Sequence, residues 1–81
     1  MVVTVSFYSW FKDLTGCRQT SENVAEGSTL GDLVQKLVIR FPKLGGTQRS
    51  MLMAVGVEYA DAAHSLKEGE EVSLFPPVQG G

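Results

Sequence analysis

Between Thr29 and Phe41 the chain carries one long amphipathic helix, and nothing else in its 81 residues repeats that pattern. Leu30, Leu33, Val34, Leu37, Val38 and Phe41 recur at helical spacing and form one apolar stripe, with Asp32, Gln35, Lys36 and Arg40 expected to face away. Thr29 with Asp32 three residues on is a capping-box start: the hydroxyl accepts from the backbone and the carboxylate reaches back. Pro42 disfavours helical backbone at Phe41 and ends the helix there. With no second long helix to pack on, the stripe needs a sheet to cover.

The flanking segments supply one. Val2 to Tyr8 alternates, Val3, Val5 and Phe7 on one side and Thr4, Ser6 and Tyr8 on the other, as a half-buried strand does. Trp10, Phe11 and Leu14 are too closely spaced for alternation and are stopped by Gly16, which predicts a short helical turn tucking aromatics over the core edge. Arg18 to Val24 is a weaker, mostly polar strand suited to a sheet edge. Residues 42–50 are expected to form a connecting loop that tolerates length variation. Met51 to Val55 is a third strand, with Met51, Met53 and Val55 on one face. Gly56-Val57-Glu58 turns into a short strand near Tyr59-Ala60, and Leu66 is expected to return to the core. Lys67-Glu68-Gly69-Glu70, expected to be a solvated turn with Gly69 at positive φ, launches a last strand over Val72 to Phe75. Helix over sheet in this order is an α+β unit, a mixed sheet with one main helix on one face.

Composition narrows function by exclusion. Hydrophobic residues at 43% and charged residues at 20% describe an ordinary globular chain, and seven basic against nine acidic residues form no cluster suited to a phosphate backbone, so nucleic acid is not an expected partner. No signal peptide and no apolar stretch of membrane-spanning length is recognisable, so the expected location is cytoplasmic, with no membrane partner. The single Cys17 cannot form an internal disulfide and has no neighbouring group to activate it; it is expected to be a small residue in a turn. His64, the single histidine, excludes a multi-histidine metal site and is expected to be a loop residue, so no metal ligands are assigned. Gly45-Gly46 lacks the remaining pattern of a phosphate-binding loop.

The chemistry concentrates in the last residues. Pro76-Pro77 cannot donate to a sheet ladder and fix their own φ angles, so the last strand stops and a stiff, extended exit follows. The domain is thus expected over residues 1–75 and a projecting tail over 76–81, Pro76, Pro77, Val78, Gln79, Gly80 and Gly81. Without a Cβ on Gly80 or Gly81 the tail can enter a narrow channel in another protein. If Gly81 is the terminus, its carboxylate is the functional group. A carboxylate is a poor acyl donor, because its oxygen does not leave. ATP-dependent adenylation makes it one, open to attack by sulfur or by a cysteine thiol.

Leu74-Phe75-Pro76-Pro77-Val78-Gln79-Gly80-Gly81 resembles the ending of the MoaD/ThiS family of ubiquitin-like sulfur carriers, and within it the small subunit of molybdopterin synthase. The likeness extends over Val3 to Leu14 with Gly16, Thr29 to Leu33, Ala54-Val55, and Leu66 to Val72. It implies a ubiquitin-like β-grasp, with the first and last strands parallel at the sheet centre. It also implies that Gly81 is adenylated and thiocarboxylated and supplies the dithiolene sulfurs of molybdopterin, the chain having no turnover alone. The implied partners are a large, catalytic MoaE-like synthase subunit and a MoeB-like activating enzyme. That enzyme uses the ATP, and no cofactor is expected to stay bound to this chain.

If Val3, Val5, Phe7, Val72 and Leu74 face the helix, alternation turns Tyr8 and Phe75 to the opposite face, where Tyr59 can join them. Exposed aromatics beside the tail are a candidate docking surface; in the family, residues at matching positions contact both partners. Gly56 stands where the family usually has asparagine, suggesting a looser turn, and Lys12 where arginine is frequent, which affects bidentate pairing. Other fates of the same tail stay open: sulfur delivery to thiamine, cysteine or tRNA thiolation, capture by a lysine as a ubiquitin-like modifier, or a binding domain with no activation.

Overall fold

The computed structural model describes residues 1–77. Its elements run β1 (Val2–Phe7), α1 (Phe11–Thr15), β2 (Gln19–Asn23), α2 (Leu30–Arg40), a 3-10 turn (Pro42–Leu44), β3 (Leu52–Val55), β4 (Glu58–Tyr59) and β5 (Glu71–Phe75). The five strands form one mixed sheet in the order β2-β1-β5-β3-β4. The central pair, β1 and β5, is parallel, with Val5 beside Val72 and Phe7 beside Leu74; every other pairing is antiparallel. This is the α+β arrangement of a ubiquitin-like β-grasp, one main helix packed on one sheet face.

Alternation explains the core. Val3, Val5, Phe7, Val72 and Leu74 are buried under Leu30, Leu33, Val34 and Leu37 of α2 in a single cluster. Burying each side chain of this size stabilises by about 1.5–3 kcal/mol, so the two central strands and α2 dominate the stability. Met53 and Val55 sit opposite Leu74 and Val72, which puts them on the helix face as their spacing predicts. Leu66 returns to the core, and β2 lies at the sheet edge, as expected.

The helix is held at its start twice over. Asp32 N–H donates to Thr29 Oγ1 at 3.2 Å and Thr29 N–H to Asp32 Oδ2 at 2.9 Å, the expected capping box. Leu30 and Gly31 N–H, two donors that no helix turn can satisfy, donate to the His64 and Ala62 carbonyls at 2.8 and 2.9 Å. A Cβ on Gly31 would lie 3.1 Å from Ala62 Cβ, so glycine permits this close approach.

Three expectations need correction. Lys36 and Arg40 do not simply face away. Arg40 donates to Glu22 Oε2 at 3.0 Å, Lys36 Nζ lies 3.7 Å from Glu22 Oε1, and the two cations flank a nearly buried carboxylate on β2. Their long stems let helix-flank residues reach an edge strand that the helical pattern alone does not locate. Residues 42–50 are more than a connecting loop, because Leu44 is fully buried within the 3-10 turn. Trp10 is not tucked in: it is 42% exposed and meets Phe11 edge-on at 5.1 Å, while Phe11 is buried. Phe11 and Leu14, three apart, share the inward side of α1, and Trp10 starts the turn from the other side. The turn before β5 is solvent-exposed with Gly69 at φ +80, as expected, and Glu68 also accepts from Val2 N–H and Glu70 from Lys67 N–H.

Candidate functional site

The parallel pairing of β1 and β5 ends both strands at the same edge of the sheet, which is where the tail leaves. Past the last paired residues, Tyr8 N–H still donates to the Leu74 carbonyl at 3.1 Å. That bond sets Tyr8 beside Phe75. Their rings stack with centroids 4.6 Å apart and planes 16° apart, on the face away from α2. Tyr8 is 44% exposed and Phe75 half-buried, so the stack is a surface feature with one well-supported ring.

Ser9 then takes φ +55, a left-handed conformation unusual for a residue with a Cβ. Directly after it the chain starts α1, with Phe11 N–H donating to the Tyr8 carbonyl at 3.1 Å and Lys12 N–H to the Ser9 carbonyl at 3.2 Å. The tight reversal leaves Ser9 and Trp10 beside the root of the tail. With Leu52, Tyr59, Phe75, Pro76 and Pro77 they line an open groove of about 380 Å³. Leu52 is the register partner of Phe75, and Tyr59 that of Ala54, so all four share the sheet face opposite the helix.

The structure therefore brings Tyr8, Phe75 and Tyr59 to one face, Tyr8 and Phe75 in contact and Tyr59 across the groove, 76% exposed. Pro76 and Pro77 line the groove outside any strand, immediately after β5. The expectations for Val78, Gln79, Gly80 and Gly81 lie outside the described residues. Trp10 and Leu52 were missed. The register of β3 against β5 finds Leu52, and no local pattern supplies it. A tryptophan next to a short helix capped by Gly16 was the available signal for Trp10.

The surface is mainly apolar and aromatic. Among the described residues no group of three or more His, Cys, Asp or Glu side chains is placed to hold a metal, and no helix is long and apolar enough to cross a membrane. Cys17 is a half-buried thiol in the turn after α1, its Sγ 3.8 Å from Thr15 Oγ1. His64 is a loop residue whose Nε2 lies 3.5 Å from Glu70 Oε2, away from the tail root. Exposed aromatic rings beside a short proline segment are the kind of surface that anchors a protein contact.

The ThiS family matches residues 5–81. A molybdopterin synthase sulfur carrier subunit of Mycobacterium tuberculosis is 34% identical over 58 residues, 72% of this chain and 70% of that protein. One of Chlamydomonas reinhardtii is 24% identical over 83 residues, the full length of both. Among solved structures, SAMP1 of Haloferax volcanii, a small archaeal modifier protein, superposes with a TM-score of 0.90 at 24% identity over the whole of both chains. One chain of the complex of subunits 1 and 2 of the molybdopterin-converting factor of Helicobacter pylori superposes with a TM-score of 0.72 at 24% identity, again over all of both chains.

Proposed function

This chain belongs to the ThiS family, and from that premise we propose that it is a sulfur carrier, the small subunit of a molybdopterin synthase. The observation that carries the reading is that the family match runs through residue 81, so it includes the glycine tail and not the globular domain alone. The curated relatives named as molybdopterin synthase sulfur carrier subunits support the same assignment.

The proposed chemistry takes place at Gly81. Its carboxylate attacks the α-phosphate of ATP held by an activating enzyme, forming an acyl adenylate and releasing pyrophosphate. A sulfur nucleophile then adds to the activated carbonyl and AMP leaves, so that a thiocarboxylate replaces the carboxylate. Within the acceptor subunit the thiocarboxylate sulfur bonds to the pterin precursor, and water then cleaves the acyl–sulfur bond, leaving sulfur for the dithiolene and regenerating the carboxylate. The chain itself supplies the acyl group and its delivery. ATP belongs to the activating enzyme, and no cofactor remains on the carrier.

Delivery is where the described geometry contributes. Residues 1–75 act as the grip and 76–81 as the tail, with Pro76-Pro77 limiting how far the tail can swing from the sheet. The stacked Tyr8 and Phe75, with Tyr59 and Trp10 around the groove, offer rigid aromatic area next to the tail root, the kind of surface that anchors an interface. The two-subunit complex of the Helicobacter pylori protein supports a partner subunit, and the aromatic face is where we place it. Activating enzyme and acceptor must use it in turn, which favours an interface tuned for release.

Deleting Gly81, or replacing Gly80 with tryptophan, is expected to abolish sulfur transfer in a reconstituted synthase assay while thermal unfolding stays unchanged. Retained molybdopterin formation by either variant would contradict the tail assignment.

A further inference from the structure

A second surface adjoins the aromatic face and is not explained by it. On the far side of Tyr8 from the groove, Ser6, Tyr8, Lys12, Arg18 and Gln19 line an open polar cleft of about 420 Å³. Lys12 comes from α1 and Arg18 from the turn into β2; both are exposed. Along it Gln19 Nε2 donates to Ser6 Oγ at 3.2 Å across the β1–β2 pair.

Its charge is opposite to that of the hollows around Tyr59. The chain carries a net charge of −2. Lys36 and Arg40 are engaged by Glu22 on the helix side. The hollows around Tyr59 are walled by Asp61 in one case and by Glu58 and Glu70 in another. The Lys12–Arg18 cleft contains two cations and no acid, and neither cation is within ion-pair distance of a carboxylate among the described residues. Tyr8 is shared: one side of its ring stacks on Phe75, and the residue also forms a wall of this cleft. A partner seated on the aromatic face therefore meets the two cations at its edge.

We propose that the Lys12–Arg18 cleft seats an acidic segment of the protein that docks on the Tyr8–Phe75 face. This rests on the docking reading above and adds the chemistry of the partner: carboxylate side chains placed at the rim of an aromatic contact. Charges at a rim act mainly on encounter and orientation. On an acidic carrier, one local basic patch turns the aromatic face, and with it the tail, toward the partner, while the acids near Tyr59 disfavour the reversed approach. The two cations sit on separate elements, so they can hold two carboxylates of one segment and fix its direction.

The test is a nuclear magnetic resonance titration of the full chain with an oligoglutamate peptide at low ionic strength. Saturable shifts are expected at the Lys12, Arg18 and Gln19 amides, with little change at Lys43 and Lys67, two exposed cations elsewhere. The Lys12→Gln/Arg18→Gln variant is expected to bind the peptide roughly fivefold more weakly, in line with two exposed ion pairs, and Lys43→Gln to bind it unchanged. Shifts spread evenly over all basic residues, or unaltered binding by the double variant, would overturn the proposal. So would an equal saturable response to inorganic phosphate, which would make the cleft a site for small free anions. Both substituted residues are exposed, and a melting curve confirms that the variant is folded. The titration involves no sulfur chemistry, so its failure leaves the carrier reading standing, and failure of the glycine-tail experiment leaves the cleft standing.

Discussion

Phe75 is the residue at which fold and proposed function meet. Its backbone closes β5 against Leu52, its ring stacks on Tyr8, and the next residue is the first proline of the tail. Because the ring is half-buried on the open face and outside the core cluster, Phe75→Arg is expected to cost about 1 kcal/mol or less in stability, as substitutions outside the core usually do. Loss of a central aromatic anchor is expected to weaken partner binding by about 2 kcal/mol or more, roughly thirtyfold. Calorimetry of binding beside a denaturant melt separates the two, and equal losses in both would assign the ring to folding alone. Alternation in β1 and β5 made Tyr8 and Phe75 legible beforehand, since strand period determines which side a residue takes. Trp10 was not legible because it sits between two periodicities, after a strand and before a helix, where Ser9 at positive φ resets the direction of the chain. Gly56 illustrates the converse. Its φ of +60 is a conformation that glycine and asparagine both adopt readily, which gives a physical reason for either residue at this turn.

At the scale of elements, α2 could be read almost completely: its cap, stripe and proline stop are all local signals, and they place it over Leu30–Arg40. The 3-10 turn after it could not. Pro42-Lys43-Leu44 has no period to display, and Leu44 is buried by contacts that depend on where the helix has already been placed. Leu44→Ala is therefore expected to destabilise by about 3 kcal/mol, the usual range for emptying a fully buried leucine site. That is a large part of what a domain of this size has to lose. A loss below about 0.5 kcal/mol in a urea melt would return the segment to the status of a replaceable connection. The Glu22–Lys36–Arg40 group escaped for a related reason, because its members belong to an edge strand and a helix flank joined only in three dimensions.

At the scale of the molecule, the sheet order bears on the proposed carrier role. Placing β1 and β5 parallel at the centre brings the chain's last strand into the most supported part of the sheet and points its end out beside an aromatic face. In the proposed function the sheet holds the residues before Pro76, and the segment after it is what a partner receives. Parallel pairing of first and last strands is a long-range property that local patterning could not specify; it came from the resemblance of the ending to a known family, and the register now accounts for it residue by residue. The central claim is that Gly81 exchanges a carboxylate for a thiocarboxylate. Intact-mass spectrometry after incubation with an activating enzyme, ATP and a sulfur donor, with fragmentation to locate the change, tests it most directly. The expected result is replacement of one oxygen by sulfur at Gly81, abolished when ATP is omitted. An unchanged mass beside an activating enzyme proven active, or a modification at any other residue, would contradict it.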